Sequence, residues 1–171
     1  MNIFSPFDGC ACARAAIDKL GIPCTYYASE IDKWAIQIAN KNYPDIIQLG
    51  NIQGIKGSDL PEIDLMIGGS PCQDLSIAGN GAGLKGSRSA LFYDFVRLLE
   101  EIKPKYFVLE NVASMKKVWR DKITEILGVE PILINSALVS AQQRKRLYWT
   151  NIQGIEQPED KGILLKDIIE D

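Results

Sequence analysis

The chain has 171 residues, of which 46% are apolar and 24% are charged, and these proportions suit one soluble domain with a hydrophobic core. It has no apolar run near the roughly 18 residues that a membrane helix needs and no signal-peptide pattern, so we expect a cytoplasmic protein. The formal net charge of −3 argues against a protein that wraps nucleic acid by itself.

Short β-like runs alternate with helical patterns along the chain. In chain order, we predict a strand over residues 2–5, a helix over 13–20, a strand over 25–28, a helix over 33–42, a strand over 64–67, a helix over 91–102, a strand over 106–109, a helix over 114–127, and strands over 131–137 and 147–149. This order predicts a doubly wound α/β fold, with a mostly parallel sheet that has helices on both faces. We assign residues 1–171 to one domain.

Ligands bind such sheets at the carboxyl ends of the strands, and the first two strands end in suitable residues. Asp8 and Gly9 follow the first strand, and a glycine there lets the backbone approach a ligand. Glu30 follows the second strand, where a carboxylate can accept hydrogen bonds from ribose hydroxyls. Asp32 suits a helix cap, so a ribose role for Glu30 is open but not required. Neither of these strand ends carries a P-loop or a G-x-G-x-x-G motif. These features therefore suggest a site for an adenosine-containing cofactor, without the backbone clamp that binds a pyrophosphate.

A glycine-rich segment, Gly68-Gly69-Ser70-Pro71-Cys72-Gln73, follows the predicted strand 64–67. The two glycines and the proline impose an unusual backbone path that presents one cysteine at the sheet edge. A free cysteine is most often a buried structural residue, but this position favours a thiolate nucleophile. The chain has no histidine, which excludes Cys-His and Ser-His pairs and leaves the C-x-C of Cys10 and Cys12 without a partner for a metal site. We therefore predict no metal.

Charged residues near the later predicted strands complete the candidate site. Glu110 could cap the following helix, or it could hold a proton for a reacting ring near the cysteine. Arg144 and Arg146, placed at i and i+2 on a strand, would share one face and could clamp a phosphate or a carboxylate. The basic residues over 116–122 are better explained as a solvated helix face than as a phosphate contact.

Taken together, these motifs resemble the motif series of DNA cytosine-5 methyltransferases of the phage and bacterial type. The matching segments, in order and spacing, are Asp8-Gly9, Ser29-Glu30-Ile31-Asp32, Gly69-Ser70-Pro71-Cys72-Gln73, Glu110-Asn111-Val112 and Gln142-x-Arg144-x-Arg146. The resemblance covers nearly the whole chain. It implies a Rossmann-like S-adenosylmethionine-dependent methyltransferase fold, with S-adenosyl-L-methionine as cofactor and DNA carrying a flipped cytosine as partner.

The resemblance also implies a role for each matching residue. The catalytic residues would be Cys72, Glu110, Arg144 and Arg146. The cofactor would contact Phe7, Asp8, Gly9, Cys10, Ala13, Glu30, Ile31, Asn51, Ile52 and Pro71. The DNA would contact Ser70, Gln73, Ser76, Arg88 and Gln142. Cys72 would add to C6 of the cytosine, Glu110 would assist at N3, and residues 75–89 would form a lid over the DNA.

The chain departs from the family pattern in three ways. Ala13 stands where a second glycine is usual, and Asn51 stands where an aspartate usually faces the adenine, so we expect weaker cofactor binding. We expect the target-recognition domain to be missing from this chain, which suggests either a second polypeptide that supplies DNA recognition or a truncated enzyme of low activity. Two other hypotheses stay open: a catalytically weak or inactive homologue that acts as a regulatory or partner-binding protein, and an RNA-directed cytosine methyltransferase.

Overall fold

The computed structural model describes residues 1–71 and 91–169, which form one seven-stranded sheet with four α-helices. The strands are β1 (Asn2–Pro6), β2 (Thr25–Ser29), β3 (Ile47–Gln48), β4 (Leu65–Gly68), β5 (Tyr106–Val112), β6 (Ile132–Asn135) and β7 (Lys145–Thr150). The helices are α1 (Cys12–Lys19), α2 (Lys33–Asn42), α3 (Leu91–Ile102) and α4 (Lys117–Leu127). The strand order is β3-β2-β1-β4-β5-β7-β6.

The sheet is parallel from β3 to β5, whereas β7 is antiparallel to both of its neighbours. This confirms the predicted mostly parallel, doubly wound sheet. A parallel neighbour requires a crossover connection, whereas β7 returns from β6 through a short segment and can therefore lie antiparallel between β5 and β6. None of the helices within the described ranges is long and apolar enough to cross a membrane.

Both faces of the sheet are covered because its central strands are apolar at consecutive positions. Ile3 belongs to one buried cluster and Phe4 to the other, since successive side chains of a strand point to opposite faces. The cluster around Phe4 packs against α3 and α4, and the cluster around Ile3 packs against α1 and α2. Strands that are buried on both faces are typical of parallel sheets with helices on each side.

The predicted boundaries of α2 and α3 agree with the structure, and three other predictions need correction. The strand β5 runs three residues beyond the predicted end at 109, so Glu110 lies within it, directly opposite Tyr148 of β7. The helix α4 begins at Lys117 rather than at 114 because a turn comes first. The two-residue edge strand β3 was not predicted, since its pairing with β2 depends on tertiary contact rather than on a local pattern.

Candidate active site

The connection from β1 to α1 is a tight turn with left-handed backbone at three alternate residues. The φ angles are 58° at Phe7, 60° at Gly9 and 64° at Ala11. Glycine adopts this conformation freely, whereas Phe7 and Ala11 do so under strain of a kind that often accompanies ligand sites. Ala13 lies inside α1, so the non-glycine residue with left-handed backbone at the helix start is Ala11. Cys10, between Gly9 and Ala11, is exposed.

Glu30 joins this turn to the end of β2. One carboxylate oxygen accepts the N–H of Gly9 at 2.8 Å, and the other accepts those of Ile31 and Asp32 at 2.7 and 2.9 Å. Asp32, as predicted, caps α2 by accepting from the N–H groups of its first turn. Glu30 is therefore not the helix cap, and its half-exposed carboxylate lies beside the glycine turn.

A pocket of about 210 Å³ opens next to Glu30, and five of the predicted cofactor residues line it. The lining residues are Phe7, Ser29, Glu30, Ile31, Asn51, Ile52, Gln53 and Leu91. Ile31 is 72% exposed, so it offers an apolar surface on which a flat ring can pack. The Asn51 side-chain oxygen accepts the N–H of Gln53 at 3.1 Å and retains a second lone pair. No motif in the sequence singled out Gln53 or Leu91 as a site residue.

Asp8 is buried in the turn, with 8% of its surface exposed. The Tyr26 hydroxyl donates to its Oδ1 at 2.7 Å, while its Oδ2 has no hydrogen-bond partner among the described residues. Burial raises the pKa of the Asp8 carboxyl, since the charged form loses hydration, and the nearby Glu30 charge acts in the same direction. The Tyr26 hydrogen bond and the nearby Ser5 hydroxyl oppose this rise in pKa. Tyr26 has no counterpart in the motif set, so the sequence did not single it out.

Gly68 and Gly69 are required by close packing. A Cβ on Gly68 would overlap the Pro6 carbonyl oxygen, and a Cβ on Gly69 would lie 2.8 Å from Glu110 Oε2. Ser70 is 4% exposed, and the Asn111 side chain donates to both its carbonyl and its hydroxyl oxygen at 3.2 Å. These contacts fix the backbone that leads to half-buried Pro71. The predicted residues Cys72, Gln73, Ser76 and Arg88, and the lid 75–89, lie outside the described residues.

The substitution Gly68→Ala is expected to lower the free energy of unfolding by about 1–3 kcal/mol, because the new methyl group meets backbone that cannot move aside. Gly54→Ala is the matched control, since a Cβ there meets nothing within 4 Å. Urea denaturation of both variants measures the difference. Equal unfolding midpoints for the two variants would contradict the packing argument.

Glu110 and Arg146 form an ion pair across the β5–β7 ladder. Arg146 is paired with Val112, two residues beyond Glu110, so the two side chains share one face in a diagonal arrangement. Arg146 Nε lies 2.5 Å from Glu110 Oε1, but the Nε–H does not point at that oxygen, so the contact is an ion pair without an aligned hydrogen bond. Tyr148 lies opposite Glu110; partial burial raises the pKa of its phenol, and the Glu110 charge adds to the rise.

Arg144 lies in the turn before β7 rather than on the strand, because β7 begins at Lys145. The argument that two strand positions place Arg144 and Arg146 on one face is therefore wrong. Both arginines nevertheless line one pocket of about 460 Å³, together with Gln142. Asn135 supports this turn by accepting the Arg144 N–H at 3.1 Å. The turn thus presents cationic and amide groups beside the Glu110–Arg146 pair.

Comparison with known proteins identifies the family. A model of the C-5 cytosine-specific DNA methylase family matches residues 1–166. The chain belongs to this family. The chain is 33% identical over 166 residues to the orphan methyltransferase M.SPRI of Bacillus phage SPR, covering 90% of this chain and 38% of M.SPRI. It is 37% identical over 114 residues to the type II methyltransferase M.NgoBV of Neisseria gonorrhoeae, covering 66% of this chain and 27% of M.NgoBV.

Solved structures confirm the Rossmann-like methyltransferase fold of this chain. A prophage-encoded E. coli protein described as a DNA modification methyltransferase matches with a TM-score of 0.73 at 24% identity, over 88% of this chain and 46% of that one. The Entamoeba histolytica methyltransferase EhMeth also matches with a TM-score of 0.73, at 18% identity, over 94% of this chain and 57% of that one. At these identities the likeness shows the fold alone. The chain spans less than two fifths of the length of M.SPRI.

Proposed function

We propose that this chain supplies the catalytic, cofactor-binding part of an enzyme that methylates C5 of cytosine in DNA. The observation that carries the proposal is the position of the Glu110 carboxylate. It is held by Arg146 and lies against Gly69, three residues before the Cys72 position. A carboxylate beside a cysteine-bearing loop suits the transfer of a proton to a ring that the thiolate attacks.

The proposed reaction depends on Cys72 and Glu110, which act on the same ring. The Cys72 thiolate adds to C6 of a flipped cytosine, while Glu110 supports protonation at N3, so that electron density moves to C5. S-adenosylmethionine supplies an electrophilic methyl group when it is bound. C5 takes that methyl group, which leaves S-adenosylhomocysteine. Water then accepts the C5 proton, Glu110 takes back the N3 proton, and elimination of the Cys72 thiolate restores the C5–C6 double bond. Arg146 keeps Glu110 in place and holds the base with Gln142 and Arg144.

The residues around the 210 Å³ pocket fit the adenosine end of this cofactor. Glu30 provides a half-exposed carboxylate for the ribose hydroxyls, and Ile31 provides an exposed apolar face for the adenine. Asn51 has a free lone pair for the adenine amino group. We assign Cys10, Ala13 and Pro71 to the edge of this site, although they do not line the pocket.

We expect Glu30→Ala to weaken S-adenosylmethionine binding by about 1–3 kcal/mol, because two ribose hydroxyls would lose a charged acceptor. Titration calorimetry measures the change, and Glu100→Ala on the exposed side of α3 is the control. Thermal unfolding is recorded for both variants, since Glu30 also accepts three backbone N–H groups. An unchanged titration would remove Glu30 from the cofactor site.

We further propose that the DNA backbone lies over the basic surface beside Arg144. Lys117 and Arg120 of α4 lie with Lys145 around a pocket of about 540 Å³, so the two basic stretches of the sequence meet in space. Lys117 and Arg120 each pair with Asp121, which supports the solvated-face explanation for that stretch. Lys145 is exposed at the rim of both basic pockets. Phosphate contact is therefore assigned first to the Arg144–Arg146 turn.

We propose that target recognition comes from additional polypeptide that packs against these residues. It would be either a further part of the same chain or a second chain. The support is an apolar stretch near the end of the described residues, in which four large side chains are each more than half exposed. These are Leu164, Leu165, Ile168 and Ile169. Contiguous apolar surface of this kind marks an interaction site.

Labelled methyl transfer from S-adenosylmethionine to mixed genomic DNA tests the proposal, followed by nucleoside separation. We expect label in 5-methylcytosine. Label in RNA but not in DNA would favour the RNA-directed alternative. S-adenosylmethionine binding without transfer to either nucleic acid, in the presence of the adjoining polypeptide, would favour the regulatory homologue. Label on any other base or on N4 of cytosine would contradict the proposal.

A further inference from the structure

The strand order defines the path of an extended cofactor along the edge of the sheet. The residues that follow β3, β2, β1 and β4 are Asn51, Glu30, Asp8 and Ser70, and Glu110 lies in the carboxyl half of β5. A cofactor with its adenine near Asn51 and its ribose on Glu30 must cross the end of β1 to reach the glycine-rich segment after β4. The part beyond the ribose therefore passes over the turn that contains Asp8. This step rests on the proposed function.

The part of the cofactor beyond the ribose carries positively charged groups. Asp8 has one carboxylate oxygen that accepts no hydrogen bond from the described residues. In S-adenosylmethionine, the region beyond the ribose contains the sulfonium centre and the α-ammonium group of the amino acid. Asp8 Oδ2 is buried without a hydrogen-bond partner in the described part of the chain. A buried oxygen without a hydrogen bond costs free energy. Such an oxygen is expected in a site where the bound ligand supplies the missing partner.

We propose that Tyr26 is a positioning residue that orients the Asp8 carboxylate to receive the α-ammonium group of the cofactor. Tyr26 is fully buried on β2, in register with Ile3 of β1. Its hydroxyl bonds Asp8 Oδ1 at 2.7 Å and leaves Oδ2 for the ligand. A hydrogen bond to the charged form also favours ionised Asp8 in a site where burial opposes ionisation.

Tyr26→Phe removes this hydroxyl while it keeps the ring that fills the core. Calorimetric titrations of the full chain compare three ligands. S-adenosylmethionine carries the sulfonium and the α-ammonium, S-adenosylhomocysteine keeps the amino acid but has no sulfonium, and 5′-methylthioadenosine is a neutral thioether without the amino acid. We expect about 5- to 30-fold weaker binding of the first two ligands and unchanged binding of the third. A general disturbance of the fold would weaken all three ligands alike and would overturn the proposal.

Tyr27→Phe is the matched control, because Tyr27 is the next residue of β2 and packs in the cluster on the opposite face. It should leave all three affinities unchanged. Weaker binding of S-adenosylmethionine alone in Tyr26→Phe would overturn the assignment, since it would point to the sulfonium instead of the ammonium. Unchanged binding of all three ligands would also overturn it.

Asp8→Asn keeps the test decisive if Tyr26→Phe unfolds. Asparagine retains an oxygen that can accept from Tyr26 but carries no charge, so the same two ligands should bind more weakly. In the Asp8→Asn background, adding Tyr26→Phe should cost little more, because Tyr26 acts through the Asp8 charge. A wild-type chain that binds none of the three ligands would refute the proposed function itself. If the wild-type chain binds the ligands and both substituted chains bind them equally well, only the role of Tyr26 and Asp8 would be refuted.

Discussion

Cys72→Ser is expected to abolish methyl transfer, with a rate loss of about 10³-fold or more, because a serine hydroxyl is a far weaker nucleophile than a thiolate. The backbone that leads to Cys72 is held in place beside Glu110. Gly69 touches the Glu110 carboxylate, and Asn111 holds Ser70 by two hydrogen bonds. The measurement is labelled transfer to DNA under single-turnover conditions, with the adjoining polypeptide present if it is needed.

A covalent trap separates a nucleophile from a structural cysteine at this position. DNA that contains 5-fluorocytosine cannot lose its C5 substituent, so the thiolate should stay bonded to C6 after methyl transfer. We expect an adduct with the wild-type chain and none with Cys72→Ser. Cys24→Ser is the control, since Cys24 precedes β2, at the amino end of the strands. An adduct that persists in Cys72→Ser would show that another group attacks the base.

Glu110→Gln is expected to lower kcat by about 10²- to 10⁴-fold, the usual contribution of a positioned acid or base. Glutamine has nearly the same shape and fits beside Gly69, but it cannot exchange the proton that N3 needs. It also leaves Arg146, whose side chain is 16% exposed, without its ionic partner. Single-turnover rates measure the chemical step, and calorimetry with S-adenosylmethionine checks that the cofactor site is intact.

Glu100→Gln provides the control for Glu110→Gln, because it makes the same chemical change on an exposed helix position. The control should leave the rate within about twofold, as is usual for surface substitutions that touch no site. A Glu110→Gln rate within the same range would exclude Glu110 from proton transfer. A fall in cofactor affinity equal to the fall in rate would instead indicate a structural role.

The sequence by itself determined those features that depend on local patterns. The helix 91–102 follows from its apolar spacing, and the start of α2 follows from the cap formed by Asp32. Residues of the candidate site could be predicted because they follow apolar strands in a fold whose ligands bind at strand ends. For this reason Glu30 was predicted from its place after a strand, whereas Asn51 was assigned only through the family resemblance; both line the same pocket.

Tertiary structure alone decided the contacts between segments that are distant in the chain. The insertion of β7 between β5 and β6 lengthened β5 and brought Arg146 to Glu110, and no local pattern encodes that register. The Tyr26–Asp8 hydrogen bond joins neighbouring strands, because parallel pairing of β1 and β2 brings the two residues together although 18 positions separate them. Local patterns therefore specified the elements, whereas strand pairing specified which side chains meet, because pairing depends on burial of both sheet faces at once.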